Sequence, residues 1–491
     1  MGKQKENCSV FTPNDIVMKM LDLLDYKKDL YGKKVLENSC GDGNFLVEIV
    51  KRYIVDCQKQ GLNNNKIRVG LSQDVVGFEV DNEQLQKCIQ RLNKIADEFG
   101  ILNVKWNIRN EDVLKAKFSS DFRYAVGNPP YITYSALALD NRKYIKENFS
   151  VCQEGKPDYY YAFIELAIKH LSCDGKFAYI VPSNFFKTKF AKNLRTYLLP
   201  ILTDVYDYKT EKLFSDILTS SAIVCCNKKN AVPDIQYHDM QSKAVEGISK
   251  KALSDRWIFD SKKAHLKNNA LRFGDYFSAS SSIATLCNEV FVINQDDRNA
   301  TYTLEDEILR EAASPKSLAN QKKRHIIFPY FYDEKNCLKH YSDKEFRRLF
   351  PKTTKYLIAN KTKLDNRDSD KSAQWYEYGR SQALAHLNQS KLLISTLVTK
   401  IPKVFFLSHE VIPYSGIYIV PISNRNKNDN INIDLYTAKS ILESDEFLLY
   451  VNRVGIHANG TSIRIAISDI NNFTFSLELL DIVKSKGETY G

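Results

Sequence analysis

The chain has ten cysteines but no Cys-x-x-Cys pair, and its one close pair is the adjacent Cys225 and Cys226 inside the apolar run Ala222 to Cys226. That distribution suggests neither a disulfide framework nor a zinc site, and free buried thiols imply a reducing compartment. No apolar run approaches the ~18 residues of a membrane span. Met1 to Glu6 has no signal-peptide core, and Glu6 stands where a myristoylation motif needs Ser or Thr. Internal repeats and low-complexity tracts are missing as well. The expectation is a soluble intracellular protein, without a metal and without a membrane partner.

What is present is a long chain with a mild basic excess. At 491 residues it has room for two or three domains with ordinary cores. Lys and Arg exceed Asp and Glu by 70 to 59, a net charge of +11, which suits an anionic partner without naming one.

The first half alternates strand-like and helix-like segments, the grammar of a mostly parallel sheet covered by helices. Val35-Leu36-Glu37, Val75 to Glu79, Tyr124-Ala125-Val126, Phe177 to Val181 and Ala222 to Cys226 read as strands, and Asn44 to Tyr53 reads as a helix. Another helix follows Pro157-Asp158, with Asp158 expected at its cap and Asp174-Gly175 at its end. Beyond Lys228 the texture turns polar, basic and aromatic, and Ser242 to Lys263 is poorly periodic. The expected domains are 1–235 and 236–491.

Three stretches carry chemistry. Directly after an apolar strand comes Val126-Gly127-Asn128-Pro129-Pro130-Tyr131. Two prolines end the strand in a rigid turn, at the edge where open α/β sheets bind ligands. The Asn128 side-chain oxygen and the Pro129 carbonyl can each accept a hydrogen bond from an exocyclic NH₂, freeing the nitrogen lone pair to attack a methyl group. Tyr131 can stack on the ring. The second stretch, Val35 to Leu46, runs a strand into Gly41-Asp42-Gly43, where backbone amides can approach a ligand. It lacks the third glycine of a dinucleotide fingerprint and any following Gly-Lys-Ser/Thr, so a smaller zwitterionic cofactor fits better than a phosphate. The third is Glu79, a carboxylate at a strand end that can accept both hydroxyls of a ribose. It lies further along than the usual ~20 residues, which a polar insertion from Gln58 to Lys66 explains.

At these residues the sequence resembles the gamma-class DNA adenine-N6 methyltransferases of type II restriction–modification systems. The motifs stand in that family's order: Phe11-Thr12-Pro13, Glu37 to Phe45, Glu79, Asp112 and Asn128 to Tyr131. Lys156 to Phe163, Val181-Pro182-Ser183-Asn184 and Lys212-Leu213-Phe214 follow, so the likeness covers nearly all of residues 9 to 226. It implies an α/β fold of the class I S-adenosylmethionine-dependent methyltransferase kind, Rossmann-like with helices on both faces, plus a mixed α+β C-terminal target-recognition domain. It also implies S-adenosyl-L-methionine as cofactor and double-stranded DNA as partner.

By the same resemblance Thr12 would hold the methionine carboxylate, and Gly41 and Gly43 would let the cofactor pass the backbone. Glu37 and Phe45 would complete that cradle, Glu79 would bind the ribose, and Asp112 the cofactor's adenine amino group. Asn128, Pro129, Pro130 and Tyr131 would hold a flipped target base, which Phe214 would sandwich against Tyr131. The family commonly has Pro and Ala where this chain has Asn38 and Ser39. The tetrapeptide's leading Asn favours adenine over cytosine.

In the second half Tyr330, Trp375 to Arg380 with Gln382, Gly416-Ile417-Tyr418 and Gly460 to Arg464 resemble segments of the family's DNA-reading domain. Basic residues mixed with aromatics suit phosphate and groove contacts, with Lys322-Lys323-Arg324-His325, Lys352 and Lys355 as candidates. RNA adenine methylation and protein glutamine-N5 methylation would use the same pocket; the long basic second half argues against the glutamine enzymes. A catalytically silent relic is disfavoured by the intact Asn128, Pro129 and Tyr131. A fused nuclease finds no room ahead of the motifs, so any cognate restriction endonuclease is expected as a separate chain. The protein is expected to be monomeric and cytoplasmic, nucleoid-associated, in a bacterium or phage.

Overall fold

The computed structural model describes residues 12–209, 211, 213–214, 220–229, 232–253, 255–259, 270–294, 304–381, 383–422, 431–458 and 462–487. The chain forms two compact units, Met1–Lys263 with Ile456–Gly460, and Ala264–Gly455 with Thr461–Gly491.

The first unit is built on nine strands: β1 (Val35–Glu37), β2 (Val75–Phe78), β3 (Asn107–Arg109), β4 (Phe122–Gly127), β5 (Leu171–Pro182), β6 (Leu202–Asp207), β7 (Ser221–Asn227), β8 (Asp234–Asp239) and β9 (Ala244–Ser249). Their spatial order is β3-β2-β1-β4-β5-β7-β6-β8-β9. The first five are mutually parallel, β7 runs antiparallel to β5 and β6, and β9 turns back on β8. The expected strands all lie within this sheet or end beside it, with Glu79 just past the end of β2.

Side-chain alternation explains why these runs are apolar throughout. On β5, Phe177, Tyr179 and Val181 join one core while Ala178 and Ile180 join the other; on β7, Ala222, Val224 and Cys226 oppose Ile223 and Cys225. One face is covered by α1 (Asn14–Leu23), α2 (Asn44–Lys59), α3 (Asn64–Asp74) and α4 (Asn82–Glu98). α5 (Leu139–Asn148), α6 (Tyr160–His170) and α7 (Lys192–Leu198) contribute to the core on the other. Helices therefore flank both faces of a mixed sheet.

Four readings change. The polar insertion from Gln58 is the end of α2 followed by a whole helix, α3, before β2. Tyr159, not Asp158, is the residue before α6, and no side chain caps that helix. Asp174-Gly175 does not separate helix from strand: β5 starts at Leu171, and an irregularity in its pairing absorbs the extra residues, Leu171 facing Phe122 and Lys176 facing Tyr124. The expected boundary at residue 235 falls inside β8, because β8 and β9 extend the first sheet. β9 is an edge strand that buries only Ile248, which is why its sequence showed no clean period.

In the second unit, Phe277–Ser281, Ile417–Pro421, Lys391–Ile394 and Val404–Leu407 form one antiparallel sheet. Val292–Asn294, Arg324–Ile327, Leu309–Ala313 and Ile412–Pro413 form a second, mixed sheet in which the last two strands pair in parallel, and short helices accompany both. Tyr330, Tyr376, Glu377, Tyr378, Ile417 and Tyr418 are buried in this unit. Their hydroxyls are spent internally: Tyr376 donates to the Tyr341 carbonyl at 2.7 Å, Tyr378 to that of Ile327 at 2.8 Å. These aromatics build a core and are not available as groove contacts. Lys322, Lys323, Lys352, Lys355, Arg380 and Arg464 are exposed. Gln382, Gly460 and Thr461 lie outside the described residues, as do Phe11 and Lys212. No helix among the described residues is long and apolar enough to cross a membrane.

Candidate active site

The carboxyl ends of β1, β2 and β4 lie side by side in the sheet, so the turns that leave them share one edge. After β1 the chain closes a tight turn. The Cys40 N–H donates to the Phe78 carbonyl at 2.9 Å and the Gly43 N–H to the Cys40 carbonyl at 2.8 Å. Gly41 and Gly43 both take left-handed backbone, at φ +53° and +92°. After β2, the two oxygens of Glu79 accept the N–H groups of Gly41 (2.8 Å) and Asp81 (2.9 Å), so this carboxylate ties the first turn to the second. Arg91 of α4 pairs with Asp42 at 2.8 Å and donates to Asn44 at 2.8 Å, fixing the start of α2. Asp112 accepts the Leu114 N–H at 3.1 Å and pairs with Lys115 at 3.2 Å.

After β4 the two prolines, which offer no N–H, end the ladder at Gly127. Three other segments grip the turn. Asn128 Nδ2 donates to Thr12 Oγ1 at 3.2 Å, and Ser39 Oγ donates to the Asn128 carbonyl at 3.1 Å. The Tyr131 hydroxyl donates to the Ile180 carbonyl of β5 at 2.9 Å, which fixes the ring.

Thr12, Glu37, Gly41, Phe45, Glu79, Asp112 and Asn128 through Tyr131 line one cavity of about 640 Å³. Two expected site residues do not. Gly43 faces inward to α4: a Cβ there would stand 2.7 Å from Cys88 Sγ. Phe214 is buried against Tyr131, with ring centroids 6.5 Å apart and planes at 71°, an edge-to-face contact and not a parallel clamp. Gly43 thus serves helix packing. Gly43→Ala should lower stability by about 1–3 kcal/mol through backbone strain and the Cys88 clash. Urea melts of Gly43→Ala with and without Cys88→Ala check this: the second change should recover the clash but not the strain.

The cavity also holds residues to which the sequence assigns no site role. Asn38 and Ser39 line it, as do Phe78, Tyr159 and Phe163. Phe163 reads as an apolar position of a helix, but nothing in the spacing says that one edge of that helix borders a cavity. Glu37 is 2 % exposed, and its Oε2 has no hydrogen-bond partner. Burial, with Cys88, Glu79 and Asp42 nearby, pushes its carboxyl well above the usual carboxylate range. An unsatisfied buried acid lining a cavity suits a ligand that brings a cation or an N–H donor. Cys40 lines the cavity too, but its hydrogen bond with Cys88 and its burial raise the thiol well above its ordinary value.

Residues 47–214 match the family model of the Eco57I restriction-modification methylase. Over this part the chain is similar to Eco57I-type methylases. The chain is 27% identical over 242 residues to the type II methyltransferase M.BstVI of Geobacillus stearothermophilus, covering 45% of this chain and 42% of that one. Over 546 residues it is 23% identical to the type II restriction enzyme and methyltransferase RM.Eco57I of Escherichia coli, covering 89% of this chain and 53% of the relative. The chain thus spans about half the length of these relatives. Among solved structures, the type IIL restriction-modification enzyme MmeI in complex with DNA superposes with a TM-score of 0.60 at 14% identity, over 94% of this chain and 65% of that one. That likeness in fold extends beyond residues 47–214.

Proposed function

We propose that this chain transfers the methyl group of S-adenosyl-L-methionine to N6 of adenine in double-stranded DNA. The observation that carries the reading is that the Asn128–Tyr131 turn opens into the same cavity as Glu37, Glu79 and Asp112. A methyl donor and a planar amine would meet there.

The residues present fit the cofactor. Glu37 offers its unsatisfied oxygen to an ammonium group. Each Glu79 oxygen accepts one backbone N–H and keeps a second lone pair for a ribose hydroxyl. Asp112 and the rings of Tyr159 and Phe163 suit an adenine amino group and its faces. When bound, the cofactor supplies an electrophilic methyl on a sulfonium.

At the target, the Asn128 amide oxygen and the Pro129 carbonyl accept the two N–H bonds of the adenine amine. Drawing those hydrogens out of the ring plane would localise the nitrogen lone pair toward the methyl that the cofactor would supply, its sulfur keeping the electron pair of the broken bond, and the amine's extra proton would leave to solvent. Tyr131 holds one face of the ring, its own position fixed through Ile180. A covalent route through Cys40 is disfavoured because that thiol is held protonated. The amine of a paired adenine lies inside the duplex, so the base must leave the stack. Stacking it between Tyr131 and Phe214 requires the Phe214 ring to turn from its edge-to-face position.

The second unit would read the target sequence through exposed basic residues, with its buried aromatics acting as scaffold. Lys322→Ala with Lys323→Ala should weaken DNA binding and reduce the slope of log affinity against log salt by about one per lysine lost as a phosphate contact. Fluorescence anisotropy across a salt series measures this, and an unchanged slope would remove both lysines from the interface. The chain would work as a monomer, with any cognate endonuclease on a separate chain.

The deciding test is transfer of labelled methyl to unmethylated bacterial DNA, with RNA and whole-proteome extract in parallel, followed by long-read sequencing. Methyladenine at one short sequence supports the proposal and supplies the specificity. Label confined to RNA or protein would keep the pocket and overturn the substrate.

A further inference from the structure

Thr12 is buried, lines the cavity and meets the catalytic turn directly: its hydroxyl oxygen accepts Asn128 Nδ2 at 3.2 Å. Its carbonyl accepts Asn44 Nδ2 at 3.2 Å, and Arg91 holds Asn44 in turn. Ser39 fixes the main chain of Asn128 from the other side. The side chain of Asn128 is therefore oriented through a residue of the cofactor side of the cavity.

A primary amide has a donor end and an acceptor end, whereas a hydroxyl has a single proton and can play either part. If the Thr12 hydroxyl donates its proton toward Asn128, the amide can sit with its oxygen toward Thr12 and its NH₂ toward the target. That arrangement sets NH₂ against NH₂ and cannot hold adenine. If the Thr12 proton is committed to an anionic acceptor in the cavity, the hydroxyl oxygen can only accept. The amide NH₂ must then face Thr12, as in the structure, and the acceptor end faces the other way.

We infer that Thr12 is a positioning residue that couples the two halves of the site: a cofactor carboxylate takes the Thr12 proton and thereby sets Asn128 to accept the target amine. The inference rests on the methyltransferase reading above. It makes cofactor and target base bind cooperatively, and it places the cooperativity in the carboxylate of the cofactor and not in its nucleoside.

The test uses the full chain and a duplex bearing the sequence found by the methylation map. DNA affinity is measured alone, with S-adenosylhomocysteine, and with 5′-methylthioadenosine, which keeps the nucleoside and sulfur but has no carboxylate. S-adenosylhomocysteine should tighten DNA binding about tenfold, within the usual range of coupling between sites, and methylthioadenosine should not. Thr12→Val should lose the gain, and Thr12→Ser should regain it. Equal gains from the two ligands, or an undiminished gain in Thr12→Val, would overturn the inference. The comparison of ligands needs no variant, so it stands even if Thr12→Val folds poorly. A parent protein that methylates no DNA would instead remove the reading beneath it.

Discussion

Asn128→Ala is expected to cut single-turnover methyl transfer by at least about 10²–10³-fold, the scale seen when one aligned polar group is removed from a reacting centre. Cofactor affinity should stay within a few-fold of the parent. The asymmetry follows from geometry. In the proposed reading the Asn128 amide is the side-chain acceptor for the target amine, whereas the carboxylates of Glu37, Glu79 and Asp112 sit on other segments of the cavity lining. Glu79 and the Gly41 turn are held by their own backbone bonds, which Asn128 does not join. The main-chain grip on the turn survives the substitution, since Ser39 bonds to the Asn128 carbonyl and Tyr131 to Ile180. Calorimetry with S-adenosylhomocysteine alongside rapid-quench transfer separates the two effects. Equal losses in both would make Asn128 a structural residue.

Much of this site is legible in the sequence because its chemistry is carried by short motifs at strand ends. A run such as Phe177 to Val181 can only be a strand buried on both faces, and Pro129-Pro130 can only end one. The order of turns then places Glu37, Glu79 and Asn128 on one edge. What escapes is anything set by packing across the sheet. Gly43 reads as a cofactor glycine, yet its neighbour is Cys88, 45 residues on by their numbers. The aromatics from Tyr376 to Tyr418 read as recognition surface because composition does not tell a buried tyrosine with a satisfied hydroxyl from an exposed one. β9 escapes for the opposite reason: an edge strand with one buried residue has no period to detect.

Glu37→Gln is expected to produce two opposite effects, stabilising the ligand-free protein and weakening cofactor binding by about 10–100-fold, the range for losing a hydrogen bond between charged groups. Burial raises the folded-state pKa of Glu37 above its ordinary 4.5. Above that value the folded state holds a proton that the unfolded state has lost, so stability falls as pH rises toward the raised folded value. Glutamine has no proton to lose. The thermal midpoints of parent and variant should therefore coincide near pH 4 and separate at about pH 8, with the variant higher. An ammonium group placed against the carboxyl reverses the burden by favouring the ionised form. Cofactor binding to the parent must then release a proton. Its affinity should rise with pH between the ordinary and the raised carboxyl value, while that of Glu37→Gln should not change over the same interval. Titrations in two buffers of different ionisation enthalpy count that proton directly. No proton released, with unchanged affinity in the variant, would mean that the cofactor's ammonium lies elsewhere and that Glu37 is only an ill-satisfied core acid.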